Sequence, residues 1–351
     1  MAASECISPM WQARIYLSGS RVRIVNSITR RLTTVTVSPT FSHCFLDVCW
    51  TTDRVFVLLN DDSVLQLQES VEGSFRLIHQ WTRVDQGATY RVSAPDFSLL
   101  TVHDSDLDAS DQFSHFGLVI TNEALRKTST DLQSVRISCS QGHLYIGHGS
   151  PLANRLTRID LATNTVMDIV DFLPPGVAVC HMHCGYAHLA ILDSMGCVWT
   201  CGFGTRGELG HGDLEQYVNP KLVEALVGMR IRYLAAGGWH TVALTEFGDA
   251  YVWGWNSDCQ LGFDKEATSS VVEPTHLPFP DDLSVSAVAC GTRHSIFLME
   301  DNSLYGCGWN GYKQIADQSS EYLPLQKLPS ITPDDSVIDI AAYGWSTLVH
   351  I

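Results

Sequence analysis

Basic residues are scarce in this chain. Its 351 residues hold 22 Lys and Arg against 38 Asp and Glu, a formal net charge of −16. A broad, charge-driven hold on nucleic acid needs the opposite balance, because lysine and arginine must face the phosphates. The scarcity is uneven. Residues 1–40 carry five arginines (Arg14, Arg21, Arg23, Arg30, Arg31) against one acid, Glu5. That segment has the charge to touch a phosphate backbone locally, and it reads equally as strand arginines in water.

Other absences narrow the class. No C-x-x-C pair occurs among the 11 cysteines, and no N-x-[ST] acceptor occurs anywhere. The first residues, MAASECISPM, hold no apolar run of the kind a secretory signal needs. The longest stretch free of Asp, Glu, Lys and Arg is 172–192, and Pro174, Pro175, Gly185 and three histidines interrupt it. It makes no membrane span. The expectation is a reduced, soluble, intracellular protein. Catalytic signatures are missing too. There is no Gly-Lys dipeptide for a Walker loop, no G-x-S-x-G elbow and no H-E-x-x-H helix. Neither an enzyme nor a cofactor, metal or small-molecule substrate is expected.

What the chain does have is a repeat. Ala236-Gly237-Gly238-Trp239-His240 is preceded 52 residues earlier by Cys184-Gly185-Tyr186-Ala187-His188. It is followed 54 residues later by Cys290-Gly291-Thr292-Arg293-His294. A last copy, Ala342-Tyr343-Gly344-Trp345-Ser346, has lost the histidine. Each histidine opens a short apolar run, then a turn (Asp193–Gly196, Glu246–Asp249, Glu300–Ser303), then a second run ending on Gly202, Gly254 or Gly308. These spans are too short for helices and rich in β-formers, so they read as hairpins. A polar loop follows, as in Gly207-Glu208-Leu209-Gly210 and Cys259-Gln260-Leu261-Gly262, and Pro220, Pro274 or Pro324 marks the return.

A unit of about 52 residues made of short strands is the signature of a β-propeller blade. The fold class expected is all-β, a single closed propeller of seven blades over residues 1–351, with six as the alternative. Residues 135–351 hold the clear copies. Residues 1–134 are divergent. There Leu58–Val64 matches Leu298–Leu304, and further on Ser140–Tyr145 matches Glu246–Tyr251. Residues 65–134 stay ambiguous, with Asp104, Asp106, Asp108 and Asp111 read as a solvated loop. The last copy lacks an outer strand, and Ala13–Leu17 is expected to supply it, closing the ring.

Ala236–His240, Trp253-Gly254-Trp255-Asn256 with Gln260-Leu261-Gly262, and Gly207–Asp213 resemble the repeats of the regulator of chromosome condensation family, strongly over 180–351 and faintly before 135. The resemblance implies seven-bladed propellers with units of about fifty residues. The run from Glu224 to Asn256 is most similar to a small single-propeller animal member. That likeness implies a nuclear, non-enzymatic partner of a jumonji-type oxygenase, acting at chromatin and in chromosome segregation. The founding member implies a second reading, nucleotide exchange on a small GTPase through a short inserted β-wedge. Gly210–Leu234 and Gly262–Val288 are nearly equal in length, so a wedge would have to lie in 65–134.

Three motifs imitate chemistry. Gly202–Gly207 spells G-x-G-x-x-G, but loop residues follow it where a dinucleotide fingerprint needs a helix. His211-Gly212-Asp213 spells the H-x-D of an iron triad inside a repeat loop. Cys180–Cys184 holds four potential metal ligands in five residues, a poor zinc geometry because strand neighbours face opposite ways. All three are expected to be structural. His188, His240 and His294 are expected to pin glycine turns to neighbouring blades, with Gly185, Gly237 and Gly291 allowing close approach. Cys201 and Cys307 take the place of Trp253. Binding is expected from Trp239, Arg293 and Trp345, one residue before the repeated histidine or its replacement, and from Trp255 and Trp309 after the hairpin glycines.

Overall fold

The computed structural model describes residues 13–18, 21–26, 31–37, 45–50, 54–59, 64–69, 75–83, 90–93, 100–106, 135–140, 142–148, 155–280, 283–329, 337, 339–343 and 346–350. The described residues divide into two compact units, one within residues 11–178 and one within residues 179–351.

In the first unit the strands are β1 (Ala13–Ser18), β2 (Arg21–Asn26), β3 (Arg31–Val37), β4 (Phe45–Trp50), β5 (Arg54–Leu59), β6 (Val64–Glu69), β7 (Phe75–Arg83), β8 (Tyr90–Ser93), β9 (Leu100–Asp106), β10 (Val135–Cys139), β11 (His143–His148), β12 (Arg155–Asp160) and β13 (Val166–Val170). They form three antiparallel sheets, ordered β1-β2-β3-β9, β4-β5-β6-β7-β8 and β10-β11-β12-β13. The chain leaves the first sheet after β3, builds the second, and returns as β9. Phe56, Val64, Ile137, Leu144, Ile146 and Ile159 form one buried cluster here.

Several expectations meet their outcome in this unit. Leu58 pairs with Val64 across a hairpin, as Leu298 does with Leu304, so that match holds in register. Residues 65–106, ambiguous in sequence, supply β6 to β9. Asp104 and Asp106 stand in β9 rather than in a loop, because their backbone pairs with Thr33 and Arg31. Asp108, Asp111 and the rest of 107–134 lie outside the described residues. Ala13–Ser18, the run expected to complete the last copy, pairs with Arg21–Asn26 in the first sheet. The Ser140–His143 turn joins the first two strands of its sheet, whereas the Gly248 turn joins the second and third of its own. Gly248 has φ of 89° and Gly142 has no such value, so the two turns share letters but not geometry.

In the second unit the strands are β14 (Val179–Cys184), β15 (His188–Asp193), β16 (Val198–Gly202), β17 (Tyr217–Leu222), β18 (Ile231–Ala236), β19 (His240–Thr245), β20 (Ala250–Trp255), β21 (Ser270–Leu277), β22 (Val285–Cys290), β23 (His294–Met299), β24 (Leu304–Trp309), β25 (Tyr322–Lys327), β26 (Asp339–Tyr343) and β27 (Ser346–His350). They make three four-stranded meanders, β14 to β17, β18 to β21 and β22 to β25, followed by the hairpin β26-β27. A single 3₁₀ turn, Glu224–Leu226, interrupts the strands among the described residues of this unit. Across both units the described strands form seven sheets.

The sequence explains the layering. The second strand of each meander, β15, β19 and β23, is buried along its whole length. Each carries apolar residues on both faces behind its opening histidine, because it is covered on both sides. Ala190, Leu192, Val198, Leu234, Ala243 and Trp253 fill one interface between sheets. Val242, Val252, Val288, Phe297 and Cys307 fill the next. Each buried aliphatic side chain is worth about 1.5–3 kcal/mol against exposure. The fourth strand is the edge, and it carries the prolines. Pro220, Pro274 and Pro324 each fall in the irregular pairing between the third and fourth strands. Proline has no N–H to offer a ladder, so an edge bulge is where it fits.

Candidate functional site

The repeated glycine and histidine build one end of the second unit's sheets. His188 Nε2 lies 2.9 Å from Thr241 Oγ1 in the next sheet, His240 Nε2 lies 2.9 Å from Ser295 Oγ, and His294 Nε2 lies 2.9 Å from Thr347 Oγ1. The tautomer follows from the hydroxyls. Thr241 donates to the Glu208 carbonyl and Ser295 to the Gln260 carbonyl, so each hydroxyl accepts from Nε2–H. The His188 and His240 latches therefore run from histidine to hydroxyl to the carbonyl of a polar repeat loop. Burial holds His188 and His240 at a pKa of about 3, so both are neutral donors. The glycines are needed for space. A Cβ on Gly237 would overlap the His240 ring and the Gly291 carbonyl, and Gly185 meets His188 and the Gly237 carbonyl in the same way. Tyr186 N–H donates to the Gly238 carbonyl, and Gly238 N–H to the Thr292 carbonyl, so the turns are also joined through the main chain.

The polar loops repeat with equal fidelity. Glu208, Gln260 and Gln314 are buried, and each accepts a backbone N–H two residues earlier, from Arg206, Asp258 and Tyr312. Desolvation pushes the Glu208 carboxyl pKa up. The Glu208 carbonyl also accepts Trp253 Nε1–H at 2.9 Å, and the Gln260 carbonyl takes Cys307 Sγ at 3.5 Å. Cys307 thus does stand in the place of Trp253, as the repeat phase indicates.

On this frame an arginine–tryptophan cluster faces outward. The Arg206 guanidinium carbon sits 4.5 Å from the Trp239 ring centroid and 4.4 Å from that of Trp255. The two indoles meet edge to face, 5.5 Å apart at 89°. Tyr186 stacks on Trp239 at 5.1 Å. Arg293 lies 5.8 Å from both indole centroids and 3.5 Å from the Asp258 carboxylate. Desolvation raises the Asp258 pKa, and Arg293 opposes that shift. Arg206, Trp239, Trp255 and Arg293 are all half-buried, and Tyr186 is exposed.

Of the five expected binding residues, the structure brings together Trp239, Trp255 and Arg293. Trp309 packs edge-on against Tyr312 at 4.9 Å and donates to Glu321. Trp345 lies outside the described residues. Arg206 and Tyr186 were missed. The signal for Arg206 was its phase, since it holds the same loop place as Asp258 and Tyr312. The place faces the residue before the next sheet's histidine: Arg206 meets Trp239, and Asp258 meets Arg293.

The three imitative motifs take up structural roles. The G-x-G-x-x-G run ends β16 and enters a turn closed by Gly207 N–H to the Gly204 carbonyl, with no helix after it. His211 Nε2 bonds Thr200 at 3.0 Å, while Asp213 accepts from Tyr217. In Cys180–Cys184, His183 Nδ1 accepts the Ala236 N–H, the His181 ring lies tilted against Tyr233 at 5.0 Å, and Met182 is buried. Among the described residues, no three His, Cys, Asp or Glu side chains gather as a metal ion would require.

Comparison with known proteins places the repeats. The regulator of chromosome condensation (RCC1) repeat model matches residues 195–244 and 248–298, and a second model of the same repeat matches 231–260 and 285–314. The chain is similar to RCC1 domain-containing protein 1 of Mus musculus, 35% identical over 43% of this chain and 49% of that protein. The Homo sapiens protein of that name is 31% identical over 58% of this chain and 65% of its own length. The chain thus spans about half to two thirds of these relatives. The guanine nucleotide exchange factor SRM1 of Saccharomyces cerevisiae is 31% identical over 43% of this chain and 31% of that one. In fold the chain is similar to the crystal structure of Prp20p from Saccharomyces cerevisiae, which was described with its binding to Gsp1p and histones. The TM-score is 0.61 at 13% identity, over 94% of this chain and 80% of that one. Residues 195–244 and 248–298 thus match the regulator of chromosome condensation repeat, in an all-β chain whose fold is similar to that of Prp20p.

Proposed function

We propose that this protein is a non-catalytic interaction scaffold that binds a protein partner through the end of its sheets carrying Trp239, Trp255, Arg206 and Arg293. One observation carries the reading. Four residues of the types that dominate interface energetics sit together, partly exposed, on turns locked by buried histidine latches. A rigid platform loses little entropy on binding. On this reading the seven sheets form one propeller domain over residues 1–351. The partner is a jumonji-type oxygenase, and the setting is nuclear chromatin, where the pair influences histone methylation state and chromosome segregation in mitosis. The name of the repeat and the histone binding described for Prp20p support the setting. This chain supplies no part of the oxygenase chemistry.

A second reading is nucleotide exchange on a small GTPase. The similarity to SRM1 favours it. A β-wedge, if the chain has one, falls among residues 65–134.

Quantitative affinity capture from dividing cells separates the two. The expected result is a jumonji-domain oxygenase recovered in near-equal amount with the wild-type protein and at least ten-fold less with Trp239→Ala, while circular dichroism shows both chains folded. A small GTPase enriched only after nucleotide is stripped, with GDP release accelerated by the purified chain, would replace the scaffold by exchange. Recovery unchanged in Trp239→Ala would move the binding face elsewhere.

A further inference from the structure

Arg206 is held in place, and among the described residues its guanidinium makes no salt bridge, although its charge is felt by the buried Glu208 carboxyl. Its guanidinium lies against two indoles that are perpendicular to each other, so two directions of motion are blocked. Trp239 is itself backed by Tyr186. Guanidinium stacking of this kind fixes the side chain before any ligand arrives, and what remains open is the planar edge of N–H donors. Among the described residues no carboxylate pairs with that edge. The two nearby acids are already engaged. Asp258 pairs with Arg293. Glu208 is buried, and its Oε2 accepts the backbone N–H of Arg206 itself, inside its own loop.

We propose that Arg206, clamped by Trp239 and Trp255 and flanked by Arg293, is a receptor for a side-chain carboxylate in an acidic segment of the partner protein. The inference rests on the scaffold reading and names the chemistry of what that scaffold binds. A carboxylate is planar and matches the guanidinium fork with two parallel hydrogen bonds. The indole faces beside it accept the methylene of an Asp or Glu side chain and the peptide plane that carries it. Asp258 and Glu208 stand beside the two guanidiniums and repel a doubly charged phosphate more strongly than a singly charged carboxylate. The surroundings suit a chain and not a small molecule: Tyr186 is 41% exposed and Phe203, the repeat counterpart of Trp255, is 48% exposed at the same end. Both offer apolar surface along which an extended segment can lie.

The test uses the full chain and three fluorescein-labelled decapeptides: alternating Asp-Glu, alternating Asn-Gln, and all-Lys. Binding is read by anisotropy, and the total tryptophan emission of the wild type and of Trp239→Ala is followed in parallel. The expected result is an Asp-Glu peptide bound at least ten-fold more tightly than the Asn-Gln peptide. Arg206→Lys, which keeps the charge but loses the fork, should weaken it about ten-fold. Indole emission should change in the wild type on addition of the Asp-Glu peptide only. Equal binding by wild type and Arg206→Lys would overturn the proposal, as would preference for the Lys peptide or complete displacement by 10 mM inorganic phosphate. Cellular capture keeps the two levels apart. If Trp239→Ala loses the partner while Arg206→Lys retains it and no acidic peptide binds, the carboxylate receptor falls and the scaffold stands. If neither variant affects capture, the carboxylate receptor falls and the scaffold's binding face lies elsewhere.

Discussion

A methyl group at Gly237 has no room. It would overlap the His240 ring on one side and the Gly291 carbonyl on the other, and both are fixed by bonds of their own. The strain cannot be relieved locally, because His240 is held by Ser295 and the Gly291 N–H by the His294 carbonyl. Gly237→Ala is therefore expected to destabilise the protein by about 1–3 kcal/mol, the usual cost of overpacking. Urea denaturation followed by tryptophan emission measures it. The same change at Gly228, where a Cβ meets nothing within 4 Å, is the control for space, although its φ of 90° adds backbone strain. A loss at Gly237 no greater than that at Gly228 would mean that the turn relaxes freely. Residue identity also explains why a tryptophan and a cysteine can share a place. Trp253 Nε1 and Cys307 Sγ both reach the carbonyl of a neighbouring loop, so the repeat keeps a buried donor at this place rather than one residue.

Between elements, the histidine latch couples stability to pH. His188 and His240 have folded pKa values of about 3, lowered from 6.5 by burial. Neutral histidine is what the fold requires, so the contribution is fully present above the unfolded value. As pH falls below about 6.5 the unfolded chain takes up protons that the folded chain refuses, and stability declines toward the folded pKa. Each histidine contributes a slope of up to about 1.4 kcal/mol per pH unit in that window. The expected outcome is a falling melting temperature between pH 6.5 and 5, before most carboxylates titrate, with a shallower fall in His240→Asn. An unchanged slope in that variant would mean that the latch is protonated at no cost. The latch was legible in the sequence, because histidine recurs at one phase beside glycine. The partners Thr241, Ser295 and Thr347 were not singled out, because each lies 53 or 55 residues from its histidine and a hydroxyl beside a strand has many possible uses. The divergent sheets were least legible. The sheet β4 to β8 carries a bulge at Phe45/Asp47 like those at Ile231/Tyr233 and Val285/Ala287, yet shares almost none of their letters. Strand pairing is a backbone property, and many apolar sequences satisfy it. The excursion from β3 through a whole sheet to β9 left no local mark at all.

At the scale of the molecule, charge limits what chromatin association can mean. The arginine-rich start, residues 1–40, holds five of the 22 basic residues, and the remainder carries nearly all of the 38 acids. The cluster proposed to bind a partner follows the same economy. Arg293 is matched by Asp258, and one guanidinium, Arg206, is left for a ligand carboxylate. DNA offers one negative charge per ~1.7 Å of helix axis, and a protein that holds it through phosphates must align several cations along that track. A single clamped arginine on an acidic protein has no such track. The purified chain is therefore expected to give no shift of a 150-bp duplex at 0.15 M salt, with at most weak retardation at 0.02 M that vanishes when Arg14, Arg21 and Arg23 are replaced by Ser. Mobility-shift titration at the two salt concentrations checks this. Tight binding at 0.15 M that survives those replacements would place a basic track elsewhere in the molecule and would make nucleic acid, not a protein, the direct ligand. Failure to bind duplex, joined to capture of a protein partner that depends on Trp239, would fix the order of contacts: this chain touches its partner, and the partner touches chromatin.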